Sequence, residues 1–211
     1  MKSDNVLILT VARCASTFYQ HHIAIEKKLE NLGEQMIVPN KSVIKVRLDK
    51  FFLYPDFYFP LLDSCEVHIL FPRKDLVDHM VSNIIPLYKN SLAELENDND
   101  EHDAGKTWWN IIPGKTTKTD VLSHFDNMKV PHSFVLKVSS YILFQMKVLN
   151  QWTRYDYKTS FDEIIQPGFF FPKIEDKWEH KIFDSLESKL KYLEEPEKTI
   201  EYLEKICNSK I

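Results

Sequence analysis

Apolar positions along this chain follow two alternating rhythms. The run NVLILTV (5–11) is continuous and rich in β-branched residues, the pattern of a strand covered on both faces of a parallel sheet. After a polar turn, Phe18, His22, Ile25, Leu29 and Leu32 recur at helical spacing, which predicts a helix over about 16–32 with Gly33 as its C-cap. SVIKVRL (42–48) and EVHILF (66–71) read as a second and a third strand, each separated by enough chain for a crossover. Between them FFLYPDFYFP (51–60) is an aromatic, proline-broken loop or short helix.

The rhythm continues beyond the third strand. Leu76, Met80, Val81, Ile84 and Leu87 share one side of a helix that Pro86 should kink or end. Residues 93–107 are acidic and weakly apolar, which predicts a solvated surface insertion. A long helix follows over 131–152, then a fourth strand over 153–159, and Ser160 with Glu163 forms an S-x-x-E capping box that opens another helix. The tail from about 175 to 209 reads as one or two amphipathic helices broken near Pro196. Strands alternating with helices predict an α/β fold: a three-layer, P-loop-like sandwich with a central, mainly parallel sheet flanked by helices. With no repeat and no composition break, one domain over 1–211 is expected.

Composition narrows the class. At 211 residues, 44% hydrophobic and 27% charged, the chain has the balance of a soluble globular protein. A net charge of -4 gives no bulk attraction to nucleic acid, so any anion site must be local and no nucleic-acid partner is expected. Three cysteines, Cys14, Cys65 and Cys207, lack metal-ligand spacing and indicate reduced thiols, with no metal expected. No stretch approaches the roughly twenty apolar residues of a membrane span, and the opening apolar run is too short for a signal peptide. A cytoplasmic protein without a membrane partner is expected. Only 4 residues are glycine, so turns must lean on other residue types.

Ligands in such sheets bind outside the carboxyl ends of the strands, which directs attention to the turn TVARCAST (10–17). Its N–H groups and the helix dipole would face an anion there, Arg13 adds a planar positive fork, and Ser16 and Thr17 add hydroxyls. A plainer reading makes Ser16 or Thr17 an N-cap and Arg13 a surface residue. The pattern G-x-x-x-x-G-K-[ST] is absent. At the end of the third strand come Arg73 and Lys74, with Ser82 two turns into the next helix, a pattern suited to a second phosphate.

Taken together, the two segments resemble the sulfotransferase family. The family's first loop, roughly P-[RK]-[ST]-G-[ST]-[ST], is similar to ARCAST: Arg13 stands at the basic position, Cys14 and Ala15 at the small pair, Ser16 and Thr17 at the hydroxyl pair. Its second motif, a strand ending in arginine followed by a helix carrying serine, is similar to FPRKDLVDHMVS (71–82). VIKVRL sits where the family's second strand carries a basic residue facing the active site, and YDYKTSFDEII (155–165) looks like its late Y-E-D-L segment. The resemblance implies transfer of a sulfuryl group from 3′-phosphoadenosine 5′-phosphosulfate (PAPS) to a hydroxyl or amine of a small-molecule or carbohydrate acceptor, without a metal. It implies Arg13, Cys14, Ala15, Ser16 and Thr17 around the 5′-phosphosulfate, and Arg73 or Lys74 with Ser82 at the 3′-phosphate. It looks more like the soluble bacterial or phage-type members, which for a viral protein would mean the host cytoplasm.

Lys45 is a candidate for neutralising charge on the leaving phosphate, or else a solvent-facing lysine. Candidates for the general base are His21, His22, Glu26 and Asp49; His22 lies on the apolar stripe, whereas Asp49 follows the second strand at its carboxyl end. His68, mid-strand, reads as structural. The aromatic cluster and the pair Trp108 and Trp109 either line an acceptor pocket or belong to the core. A P-loop-type nucleotide or nucleoside kinase shares the architecture but would want a lysine beside the Ser/Thr, and a catalytically inactive nucleotide-binding module of the same fold is the other alternative.

Overall fold

The computed structural model describes residues 3–14, 16–32, 38–96, 123, 125–164, 166 and 185–209. The chain divides into two compact units, Met1–Leu76 with Tyr141–Phe171, and Val77–Ser140 with Pro172–Ile211. Of the insertion expected over 93–107, residues 93–96 are helical instead, and the rest of it, Trp108, Trp109, Gly33 and the start of the tail lie outside the described residues.

The first unit holds the sheet: β1 (Val6–Thr10), β2 (Glu30–Asn31), β3 (Ser42–Arg47), β4 (Glu66–Phe71) and β5 (Tyr157–Ser160), in the order β2-β3-β1-β4-β5. All four pairings are parallel, and the fold is α/β with helices flanking the sheet. Every residue of the central β1 is buried, which is why its sequence shows no polar alternation. Asn5 fixes the register at the amino end: its side-chain oxygen accepts from Ser42 N at 3.0 Å and its carbonyl accepts from Glu66 N at 2.9 Å. In that register Thr10 lies opposite Arg47 on β3 and Leu70 on β4. The segments that leave β1, β3 and β4 therefore start side by side, about 5 Å apart, at the carboxyl edge.

The first helix, α1 (Ser16–Lys27), is shorter than its spacing suggests. Lys28 adopts a left-handed conformation, φ 54°, while Leu29 N donates to Ala24 O at 2.8 Å and Lys28 N to Ile25 O at 3.3 Å. This is a Schellman cap with lysine where glycine is usual, and it releases Glu30 and Asn31 to pair with β3. The buried face is likewise shifted: Tyr19, Gln20, His22, Ile23 and Ala24 are covered, whereas Ile25 is 51% exposed.

The aromatic stretch forms two short helices, α2 (Leu48–Leu53) and α3 (Pro55–Ser64). Pro86 does not end its helix: α4 (Leu76–Glu96) runs through it, with every residue from Val81 to Pro86 buried and Leu87 exposed. Packing of that wall outweighs the lost backbone donor. The expected long helix is α5 (His132–Gln151), and the capping box opens α6 (Phe161–Ile164) directly after β5.

The second unit includes α7 (Leu186–Leu190) and α8 (Pro196–Asn208), with Pro196 at the first turn of α8, where a missing N–H costs nothing. His132 Nδ1 and Thr199 Oγ1 are 3.0 Å apart, Val130 bridges to Leu193, and fully buried Lys189 pairs with Asp78. Among the described residues no helix is long and apolar enough to cross a membrane.

Candidate functional site

The turn after β1 is shaped by Thr10, Arg13 and Cys14. Thr10 Oγ1 donates to Val11 O at 2.9 Å, closing the strand end. Arg13 then takes φ 66°, a conformation that costs a non-glycine residue about 1–2 kcal/mol. Cys14 lies beneath it, fully buried, its thiol directed at Ala12 O across 3.8 Å. Burial pushes that thiol up to about 12, so Cys14 packs the turn as a protonated group and is no nucleophile. Ala15 lies outside the described residues. Ser16 and Thr17 open α1, and Lys45, from the middle of β3, donates from Nζ to Thr17 Oγ1 at 3.0 Å.

A second cation reaches the same edge from β4. Arg73 is half-buried and its guanidinium carbon sits 4.2 Å from the centre of the Phe161 ring. The loop carrying it is held by Asp162, whose Oδ2 accepts from Lys74 N at 2.7 Å. Phe161 and Asp162 are in turn placed by the capping box: Ser160 N donates to Glu163 Oε2 at 2.8 Å, Thr159 Oγ1 to the same oxygen at 3.0 Å, and Glu163 N to Ser160 Oγ at 3.3 Å. Those bonds, the Ser160 amide first, hold the Glu163 carboxyl below its ordinary range. Lys74 is exposed, so of the two basic residues Arg73 is the one lodged at the sheet edge.

The electrostatics follow from this placement. Desolvation first, and the Arg73 charge second, together lower the Arg13 pKa to about 10. Arg13 is partly open to solvent yet, among the described residues, has no hydrogen bond or ion pair. Two guanidiniums within electrostatic reach of each other, Arg13 without an acceptor among the described residues, form a site that gains from a polyanionic ligand with oxygen acceptors.

Arg47 Nη2 and Asp49 Oδ2 lie 3.1 Å apart at the end of β3 and the start of α2, and Asp49 Oδ1 is buried with no donor among the described residues. His21 is half-buried in the second turn of α1, its ring 6.1 Å from that of His22; His22 is buried against Phe18 at 4.2 Å. Glu26 is exposed near the far end of α1, about 15 Å along the axis from Ser16, and does not reach the turn. Ser82 belongs to the second unit, where its hydroxyl is buried with no hydrogen-bond partner among the described residues. His68 is a buried link between Tyr19 and Glu66, 2.8 Å from each. Phe51 and Tyr58 of the aromatic cluster are core, while Phe52 and Phe59 are exposed. No group of three or more metal-ligating side chains occurs among the described residues.

Asp162, Phe161, Thr10 and Tyr141 are not singled out by the sequence. The box S-x-x-E places Asp162 in a first helical turn, but its reach to Lys74, 88 positions away, has no local signature. Compared with protein-family models, with curated proteins and with solved structures, the chain matches none.

Proposed function

We propose that this chain is a sulfotransferase of P-loop-like architecture, taking a sulfuryl group from PAPS and passing it to a hydroxyl or amine. The observation that carries the reading is Arg13: a charged residue in a left-handed turn at the carboxyl edge of a parallel sheet, beside Arg73, with no partner of its own among the described residues. The donor set fits a nucleotide with phosphates at two positions. Arg13, the turn at Cys14 and Ala15, and the hydroxyls of Ser16 and Thr17 would hold the 5′ end; Arg73, braced by Phe161 and Asp162, would hold the 3′-phosphate.

PAPS supplies the activated sulfuryl group, and the remaining tasks fall to the chain. Arg13 and Lys45 stabilise charge that gathers on the leaving phosphate oxygen, Lys45 being held at Thr17 before reaction. Asp49, on the adjacent strand end, accepts the acceptor's proton as the new oxygen–sulfur bond forms and the old sulfur–oxygen bond breaks. His21 lies more than a turn along α1 and is the less direct candidate. Incubation with radiolabelled PAPS and a panel of hydroxyl and amine acceptors tests the reading: label moves to an acceptor in the wild type and not in Arg13→Ala. Transfer unchanged in that variant contradicts it, and label transfer from ATP with magnesium instead would establish a kinase.

A further inference from the structure

The segment FFLYPDFYFPLL (51–62) holds a single charge, Asp56, and turns much of its apolar surface outward. Phe52, Leu53, Tyr54 and Phe59 around α2 and α3, with Tyr141 and Phe144 on α5, are each between 43% and 65% exposed, and all belong to the first unit. They form one face. Phe52 and Phe144 have ring centres 6.2 Å apart, and Phe52 and Phe59 flank the same buried ring, Phe51, at 6.3 and 5.1 Å. Tyr141 lies one turn before Phe144, and Leu53 and Tyr54 follow Phe52 at the end of α2. The core beneath is filled by other side chains: Phe51 stacks on Tyr58 at 5.8 Å and meets Trp152 edge-on at 5.4 Å, while α5 buries Ile142, Leu143, Met146 and Leu149.

We infer that this face joins two copies of the chain across a two-fold axis, each copy presenting the same six side chains. Half-exposed side chains of this size leave roughly 600 Å² of apolar surface in water. That lies at the upper end of what monomers leave uncovered, and it exceeds the about 500 Å² a side that a specific interface needs, before any polar rim is counted. Charge favours a second copy as the partner. Arg47 and Asp49 are paired, and the other charged residues of 48–60 and 141–151 are Lys50, Asp56 and Lys147. The face thus carries one net positive charge on a chain of net charge -4, so two copies meet here without the repulsion that their acidic remainder would bring. Asp56 lies three positions before Phe59, and Lys147 three after Phe144, so a charge of each sign flanks an exposed ring on a different helix. A two-fold axis can set the acid of one copy toward the base of the other. A lipid surface would call for a basic belt, which these three charges do not make.

The test is sedimentation velocity of the full chain at concentrations between about 1 and 100 μM. The wild type forms a concentration-dependent dimer. Phe144→Glu and Leu53→Glu each raise its dissociation constant about 100-fold or more, because symmetry counts every substitution twice. Ile25→Glu, at an equally exposed apolar side chain on α1, leaves the dimer intact, and circular dichroism shows which variants are folded. Should an acidic variant unfold, Phe144→Ala reads the same contact as a loss of about tenfold. A wild type that stays monomeric throughout, a dimer that the face variants leave unchanged, or one that Ile25→Glu dissolves equally would overturn the inference. So would flotation of a monomeric wild type with phosphatidylserine and phosphatidylcholine vesicles that is lost in Phe144→Glu, which would put a membrane on the face instead.

Discussion

Lys45 Nζ rests on Thr17 Oγ1 at 3.0 Å, so a cation from the middle of β3 is parked on the first turn of α1 before any ligand arrives. A hydroxyl is a weak partner for an ammonium, and a phosphate or sulfuryl oxygen in its place would bind more strongly. Lys45→Met should lower kcat about 10- to 100-fold, with a smaller loss of affinity for the product nucleotide 3′-phosphoadenosine 5′-phosphate (PAP), measured by steady-state kinetics beside calorimetry. A change confined to KM would assign Lys45 to ground-state binding.

Arg13 combines two destabilising features, a left-handed backbone and a like-charged neighbour. Arg13→Gly relieves both. Its unfolding free energy should match the wild type or exceed it by up to about 1 kcal/mol, although anion binding is lost. Urea melts of the two proteins check this, and a variant markedly less stable than wild type would mean that the side chain is structural.

Asp162 braces the loop that carries Arg73 through Lys74 N, at 2.7 Å. Asp162→Ala should loosen the loop that carries Arg73 and weaken PAP about tenfold, yet leave AMP, which has no 3′-phosphate, nearly unaffected. Parallel losses for both nucleotides would place Asp162 elsewhere in the account.

Beneath α1, Tyr19 OH meets His68 Nδ1 at 2.8 Å, His68 Nε2 meets Glu66 Oε1 at 2.8 Å, and Lys27 Nζ reaches both Glu66 oxygens at 2.7 Å. With Glu66 ionised, the network assigns the ring hydrogen to Nε2 and leaves Nδ1 to accept from Tyr19. Burial holds His68 below the usual histidine range despite Glu66. For Glu66, burial pushes upward, but the bonds from Lys27 and His68 outweigh it and keep the carboxyl below its usual range. The unfolded chain therefore binds more protons at both groups. Their stabilisation is present above an unfolded histidine pKa of about 6.5 and is lost as pH falls through the folded values. Thermal melts between pH 4 and 8 should show Tm dropping below about pH 6.5, less steeply in His68→Gln; parallel curves for the two proteins would refute the linkage.

What was legible in the sequence depended on how local its cause is. β1 declares itself because burial on both faces forces an unbroken apolar run, and the Ser160–Glu163 box is visible because its bonds close within three residues. The end of α1 was not legible, since a lysine at φ 54° does what glycine usually does in a chain nearly without glycine. Of the two outcomes Pro86 suggests, the end of the helix does not occur, because a buried wall from Val81 to Pro86 overrides a local helix breaker. The turn position of Arg13 is visible in the sequence, but its like-charged neighbour and the Asp162 brace arise from tertiary pairing that no spacing records.

The most direct measurement is calorimetric titration of PAP, alongside ATP with magnesium and AMP, into the wild type and Arg13→Ala. The account predicts that PAP binds well ahead of the other two and that Arg13→Ala loses it while remaining folded. Equal binding of PAP to both proteins, or tighter binding of ATP with magnesium, would contradict it.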